Sequence, residues 1–235
     1  MALLADAGWR VVMATAFTQS VPNPKGFALA CQLDKGLSPE TDYMALRRQE
    51  DRAAAELLGA EPRWLGLPEA PHRGYSSAAA LFAGPLPNDD VWRDLSGLLT
   101  CLLQELQPAL VLAPQGLGGH VDHLQMMRAV QHAAPHTPLA YFRDTPYAMR
   151  HKNALPFELP GGLEQFTVPI EAALNRKVAA ACAYASQVGF QFGGSDAASR
   201  ALTEFATEEG QGRQAERFQG DKESRERIGG KSSLP

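Results

Sequence analysis

The stretch Ala109-Leu110-Val111-Leu112-Ala113-Pro114 followed by Gln115-Gly116-Leu117-Gly118-Gly119-His120-Val121-Asp122-His123 sets the fold. It reads as a buried strand, a glycine loop and the start of a helix. In an α/β protein such a loop leaves the carboxyl end of a strand, where metal and acid/base chemistry is placed. His120 and His123 lie three apart with Asp122 between them. An imidazole at a helix start can bind Zn²⁺ through one nitrogen while a carboxylate or carbonyl holds the other. Asp122 beside His120 suits an oriented, partly protonated ring. The plain alternative is a surface loop with two solvated histidines and Asp122 as N-cap.

Working outward, Trp9 to Phe17 reads as a buried strand entered through a turn at Gly8, and residues 18–40 as a long loop. Residues 41–58 form a helix capped by Thr41 or Asp42 and ended by Gly59. Residues 63–67 make a short strand, and residues 68–87 an irregular loop. Asp90 to Leu106 is an amphipathic helix with Val91, Leu95, Leu98, Leu99, Leu102 and Leu106 on one face. After the strand at 109–113 come a helix over 122–134, a strand at 139–142 and a short extended piece at 166–170. Helices are expected at about 171–187 and 195–207, with a disordered tail over 219–235. Strands alternating with helices predict an α/β fold: a mostly parallel, Rossmann-like sheet with helices on both faces.

The 235 residues suit one domain. Hydrophobic content of 45%, 20% charged residues and a net charge of −4 are ordinary for a soluble globular chain and give no reason to expect nucleic acid. No apolar run approaches the roughly 20 residues of a spanning helix. The N-terminus lacks a basic region and reads as a helix end, not a signal peptide. Cys31, Cys101 and Cys182 are an odd count without metal spacing, read as buried small hydrophobes in a reducing, cytoplasmic setting. The chain has neither G-x-S-x-G nor GxxxxGK[ST], so nucleophile-elbow hydrolases and P-loop proteins have no support.

The remaining titratable groups invite plainer readings. His72, His132, His136 and His151 are taken as without a role. Asp89-Asp90 precede a helix and suit its dipole. Arg47-Arg48 with Glu50-Asp51-Arg52 reads as a salt-laced helix face.

Taken in chain order, several segments resemble the PIG-L/LmbE-like family of zinc-dependent N-deacetylases. Residues 7–12 resemble its first-helix exit and second strand. Arg47, Glu50, Ala54 and Leu58-Gly59 match an R-x-x-E-x-x-x-A-x-x-x-L-G helix. Leu65-Gly66-Leu67-Pro68-Glu69 resembles an L-G-L-P-D turn, with Glu69 for the usual aspartate. Pro114 to His123 resembles the P-x-G-x-G-G-H-x-D-H loop, the most specific match. Tyr141 to Tyr147 is similar to Y-x-x-D-x-P-Y, Lys177 with Tyr184 to Gln187 to K…Y-x-S-Q, and Ala215 to Phe218 to A-E-R-[FY]. The match covers about residues 1–218, taken as the domain.

The resemblance implies a hydrolase that removes the acetyl group from an N-acetylglucosamine-type sugar or conjugate. Zn²⁺ would be the cofactor and His123 its ligand. His120 would stabilise the oxyanion and protonate the leaving amine, and Asp122 would hold that ring. Arg47 would grip a polar or anionic part of the substrate. The partner implied is a small N-acetylated amino sugar, with no nucleic acid and no membrane span; a homo-oligomer is left open.

The resemblance also implies two further zinc ligands, and a general base, from an H-x-D-D motif after a first strand. No H-x-D-D occurs in these residues, and the chain starts within the counterpart of the family's first helix. Three expectations compete: a natural chain that extends upstream, a non-catalytic member that binds a sugar or a protein, or a metal site built differently.

Overall fold

The structure, a computed structural model, describes residues 1–134, 137–150 and 158–229. In chain order its elements are α1 (Ala2–Asp6), β1 (Val11–Phe17), α2 (Gly26–Leu33), α3 (Tyr43–Leu58), β2 (Ala60–Leu67), α4 (Val91–Leu106), β3 (Val111–Pro114), α5 (Val121–Ala133), β4 (Leu139–Phe142), α6 (Tyr147–Arg150), β5 (Glu164–Pro169), α7 (Leu174–Cys182), α8 (Ala185–Phe192), α9 (Ser195–Glu209), β6 (Ala215–Gly220) and α10 (Lys222–Ile228). This is the expected α/β chain. No helix among the described residues is long and apolar enough to cross a membrane. Residues group into two compact units, 1–77 with 170–214, and 78–169 with 215–235.

In the first unit β1 and β2 pair in parallel, Val11 opposite Ala60 through Thr15 opposite Trp64, with an irregularity before Phe17 meets Leu67. α3 follows from its sequence. Asp42 accepts from the Ala45 amide at 2.8 Å and caps it. Gly59 ends it at φ 67°, and a Cβ there would stand 3.0 Å from that of Ala5. Ala54 and Ala55 are fully buried, and α3 packs on β2 and α7. Ile170, Leu174 and Ala206 form a core with Leu3 and Val178 against it.

Two expectations change in this unit. Residues 18–40 are not all loop: α2 forms over Gly26–Leu33, held from its far end by buried Gln32, which donates to the carbonyls of Ser38 (2.5 Å) and Thr41 (3.1 Å). The helix expected over 171–187 is two, because Tyr184 leaves helical geometry at ψ 65°.

In the second unit the order is β3-β4-β6-β5. β3 and β4 are parallel, with Val111 opposite Leu139. β6 runs antiparallel to β4 and β5. Phe166 and Phe218 stack at 5.7 Å over Ala140 and form the core with Leu112, Val168 and Ile228. α4 packs on α5 and buries Val91, Leu95 and Leu99, while Leu98 stays 38% exposed. A fully buried leucine such as Leu95 stabilises by about 1.5–3 kcal/mol.

The expected disordered tail is corrected as far as Gly229. β6 runs to Gly220, and Asp221 caps α10 by accepting from the Ser224 amide at 2.7 Å. His136 and His151 lie outside the described residues, as do residues 230–235. The cysteines are free, but none is fully buried and Cys101 is exposed, so their reading as buried hydrophobes is corrected.

Candidate functional site

The glycine loop after β3 is built as the sequence suggests, with Gly116, Gly118 and Gly119 all at positive φ. Gly118 is obligatory for a second reason. A Cβ at this position would sit 2.8 Å from the Tyr147 Cβ, so the loop lies directly on that side chain.

What holds the loop is Asp144, on the loop leaving β4. Its Oδ2 accepts from the amides of Gln115 (2.9 Å) and Leu117 (3.2 Å). Its Oδ1 lies 2.5 Å from His123 Nδ1. The Asp144 side chain is 1% exposed and that of His123 33%. A carboxylate only accepts, so Nδ1 carries the proton, and in the neutral ring Nε2 keeps the lone pair. This is the brace found behind metal-ligating or proton-accepting imidazoles.

His120 has the opposite arrangement. It is the N-cap of α5, and its Nδ1 accepts from the Asp122 amide at 3.2 Å. Its neutral ring therefore carries the proton on Nε2 and presents a donor. This corrects Asp122 as the cap: the helix starts one residue earlier, and the Asp122 contact to His120 Nδ1 comes from its backbone. The two rings lie 5.6 Å apart. Tyr147 stands 5.3 Å from His123 and 6.1 Å from His120, its phenol pushed above the usual tyrosine range mainly by burial. Phe82 stands 5.3 Å from His120.

The first unit holds Arg47. Its guanidinium lies 5.9 Å from the Tyr43 ring and 5.5 Å from that of Tyr184, donates to the Tyr43 hydroxyl at 3.2 Å, and stands 3.6 Å from Glu50. Burial opposes its charge, but Tyr43, Glu69 and Glu50 outweigh it. The salt-laced face expected on α3 is instead an internal network. Glu50 and Asp51 are 7% and 4% exposed. Asp51 accepts from Thr15 Oγ1 (2.9 Å), Trp64 Nε1 (2.7 Å) and the Tyr184 hydroxyl (2.6 Å). Glu50 accepts from the Ser186 amide (2.7 Å) and hydroxyl (2.8 Å). The R-x-x-E and Y-x-S-Q segments thus meet as acceptors and donors. Outside the site, buried Asp89 accepts from the Val91 amide at 3.4 Å just ahead of α4, whose N-cap is Asp90.

Sequence reasoning gave Asp144 and Phe82 no role and placed Asp51 on a salt-laced helix face. Asp144 is the fourth residue of the quoted Tyr141–Tyr147 segment, and its position at a strand end was a usable signal. Phe82, in an irregular loop, carried none.

Fold and site together define an α/β protein with a pair of imidazoles, each held at Nδ1 by a different partner, at the carboxyl end of a parallel strand. The profile of the PIG-L family, described as GlcNAc-PI de-N-acetylase, matches residues 1–134, more than half of the 235. The chain belongs to this family. It is 34% identical over 149 residues to the 2'-N-acetylparomamine deacetylase of Streptomyces fradiae, an alignment covering 60% of this chain and 53% of that protein. The match thus spans about half the length of that curated relative. Among solved structures, the A40926 pseudoaglycone deacetylase superposes with a TM-score of 0.77 at 28% identity, covering 93% of this chain and 88% of that one. A deacetylase from the teicoplanin biosynthesis pathway gives 0.80 at 25%, covering 93% and 89%.

Zinc, implied by the sequence resemblance, meets a poor donor set. Among the described residues no three His, Cys, Asp or Glu side chains converge as a metal group. His123 with its Asp144 brace supplies one imidazole. That does not fit the usual three-ligand catalytic zinc site.

Proposed function

We propose that the chain is an N-deacetylase of acetylated amino-sugar conjugates, a hydrolase of the amide bond. The observation that carries this reading is the pair His120 and His123, fixed in opposite tautomers by the Asp122 amide and by Asp144. Amide hydrolysis needs an acceptor toward the attacking water and a donor toward the carbonyl oxygen and the leaving nitrogen. His123 Nε2 offers the lone pair, and it is the atom through which this chain would contribute to a metal. His120 Nε2–H offers the donor. Water adds to the carbonyl carbon, the C–N bond breaks, and a proton passes to nitrogen, leaving acetate and a free amine. Asp122 positions His120, and Arg47 grips a polar or anionic part of the conjugate. The kinship with a 2'-N-acetylparomamine deacetylase and an A40926 pseudoaglycone deacetylase supports the substrate class.

The test is amine release from a panel of N-acetylated amino-sugar conjugates at graded zinc, for the full chain and for His120→Ala and His123→Ala. Release that both variants abolish or sharply reduce supports the proposal; release indifferent to both overturns it. A second reading, a sugar-binding module without turnover, is favoured by the absence of a three-residue metal group among the described residues. It predicts saturable binding of the same conjugates and no amine.

A further inference from the structure

We propose that Phe82 is a substrate-positioning residue, and that the corner formed by Phe82, His120 and Tyr147 receives the apolar face of a pyranose ring. The inference rests on the deacetylase reading and names what lies against its histidines. Phe82 ends a short 3-10 turn, Ala80–Phe82, and is 47% exposed. A single exposed aromatic is ordinary on a protein surface. This one is not placed at random: its centroid lies 5.3 Å from His120 and 5.9 Å from Tyr147, both in edge-to-face geometry. Tyr147 lies in turn close against the loop, where a Cβ at Gly118 would stand 2.8 Å from its own Cβ.

The corner is thus one apolar ring bordered by two rings with polar atoms. A long acyl chain asks for a concave apolar enclosure on several sides. An acetyl methyl is too small to cover an aromatic face. A pyranose has C–H groups on one face and hydroxyls around its edge, which matches an apolar platform with a polar border. With the sugar on Phe82, an amide on that sugar comes to the neighbouring imidazoles.

The experiment measures binding and turnover of the methyl glycoside of N-acetylglucosamine, and of ring-free N-butylacetamide, by the full chain, Phe82→Ala and Phe82→Trp. Circular dichroism checks each fold. The expected result is that Phe82→Ala weakens glycoside binding by about tenfold or more. Phe82→Trp retains it, and N-butylacetamide is handled as before. Where turnover is measurable, the loss falls on KM rather than kcat. Unchanged glycoside binding in Phe82→Ala overturns the inference. So does an equal loss for both compounds, which would make Phe82 a mere support for His120, and so does a wild-type chain that fails to bind the glycoside. Glycoside binding that depends on Phe82 but releases no amine overturns the deacetylase reading and leaves the inference standing.

Discussion

Single residues decide the chemistry at the head of α5, and the bonds behind the two rings predict different phenotypes. His120→Ala is expected to lower kcat by roughly a hundred- to ten-thousand-fold, the range for a lost acid/base or oxyanion group. Any metal dependence should persist in that variant, and both should vanish in His123→Ala. Asp144→Asn removes the charge behind His123 and should cost about 10–100-fold. Asp122→Asn should be milder, since the contact to His120 Nδ1 is made by its amide. Equal behaviour of His120→Ala and His123→Ala toward metal would show that the division of roles is wrong. Gly118→Ala tests the loop itself. It meets a positive φ and a 2.8 Å approach to Tyr147, so it should destabilise by about 1–3 kcal/mol in urea titrations and displace His120.

At the scale of elements, the buried carboxylates of α3 bind β1, β2 and α8 into one piece. The Tyr184 hydroxyl is pushed above the usual tyrosine range, first by burial and then by Asp51. A folded-state pKa above the unfolded one adds stability that is fully present below the ordinary tyrosine value of about 10 and is lost as pH rises beyond it. Stability should therefore decline through the alkaline range, and Tyr184→Phe should remove part of that decline. At neutral pH the same variant should cost about 1–3 kcal/mol, because Asp51 loses one of its buried donors. Denaturant midpoints of the two proteins across pH 7 to 11 check both statements, and parallel pH curves would refute the first. The existence of α3, its Asp42 cap and its Gly59 stop were legible, because each is a local signal. The inward turn of Glu50 and Asp51 was not. Charges at that spacing describe a solvated face equally well until the donors on β1, β2 and α8 are in place.

For the whole molecule, the donor set predicts weak zinc binding. Purified, chelator-treated protein re-exposed to zinc should retain well under one ion per chain by elemental analysis. Near-stoichiometric zinc that disappears in His123→Ala would mean that other side chains complete the site. The sequence by itself determined the α/β alternation, the glycine loop, the place of His120 and His123 and the kinship with N-deacetylases, since strand patterning, helix caps and contiguous motifs are written over a few neighbouring residues. Tertiary structure alone decided that β6 pairs with β4 and β5 and that α10 forms where the chain reads as tail, because their apolar partners, Phe166 and Ala140, are distant in sequence. It alone paired Asp144 with His123, 21 residues away, and set Phe82 against His120. Contacts between segments far apart in the chain leave no periodicity to read, and one of them, Asp144 on His123 Nδ1, sets the tautomer of the neutral His123 ring.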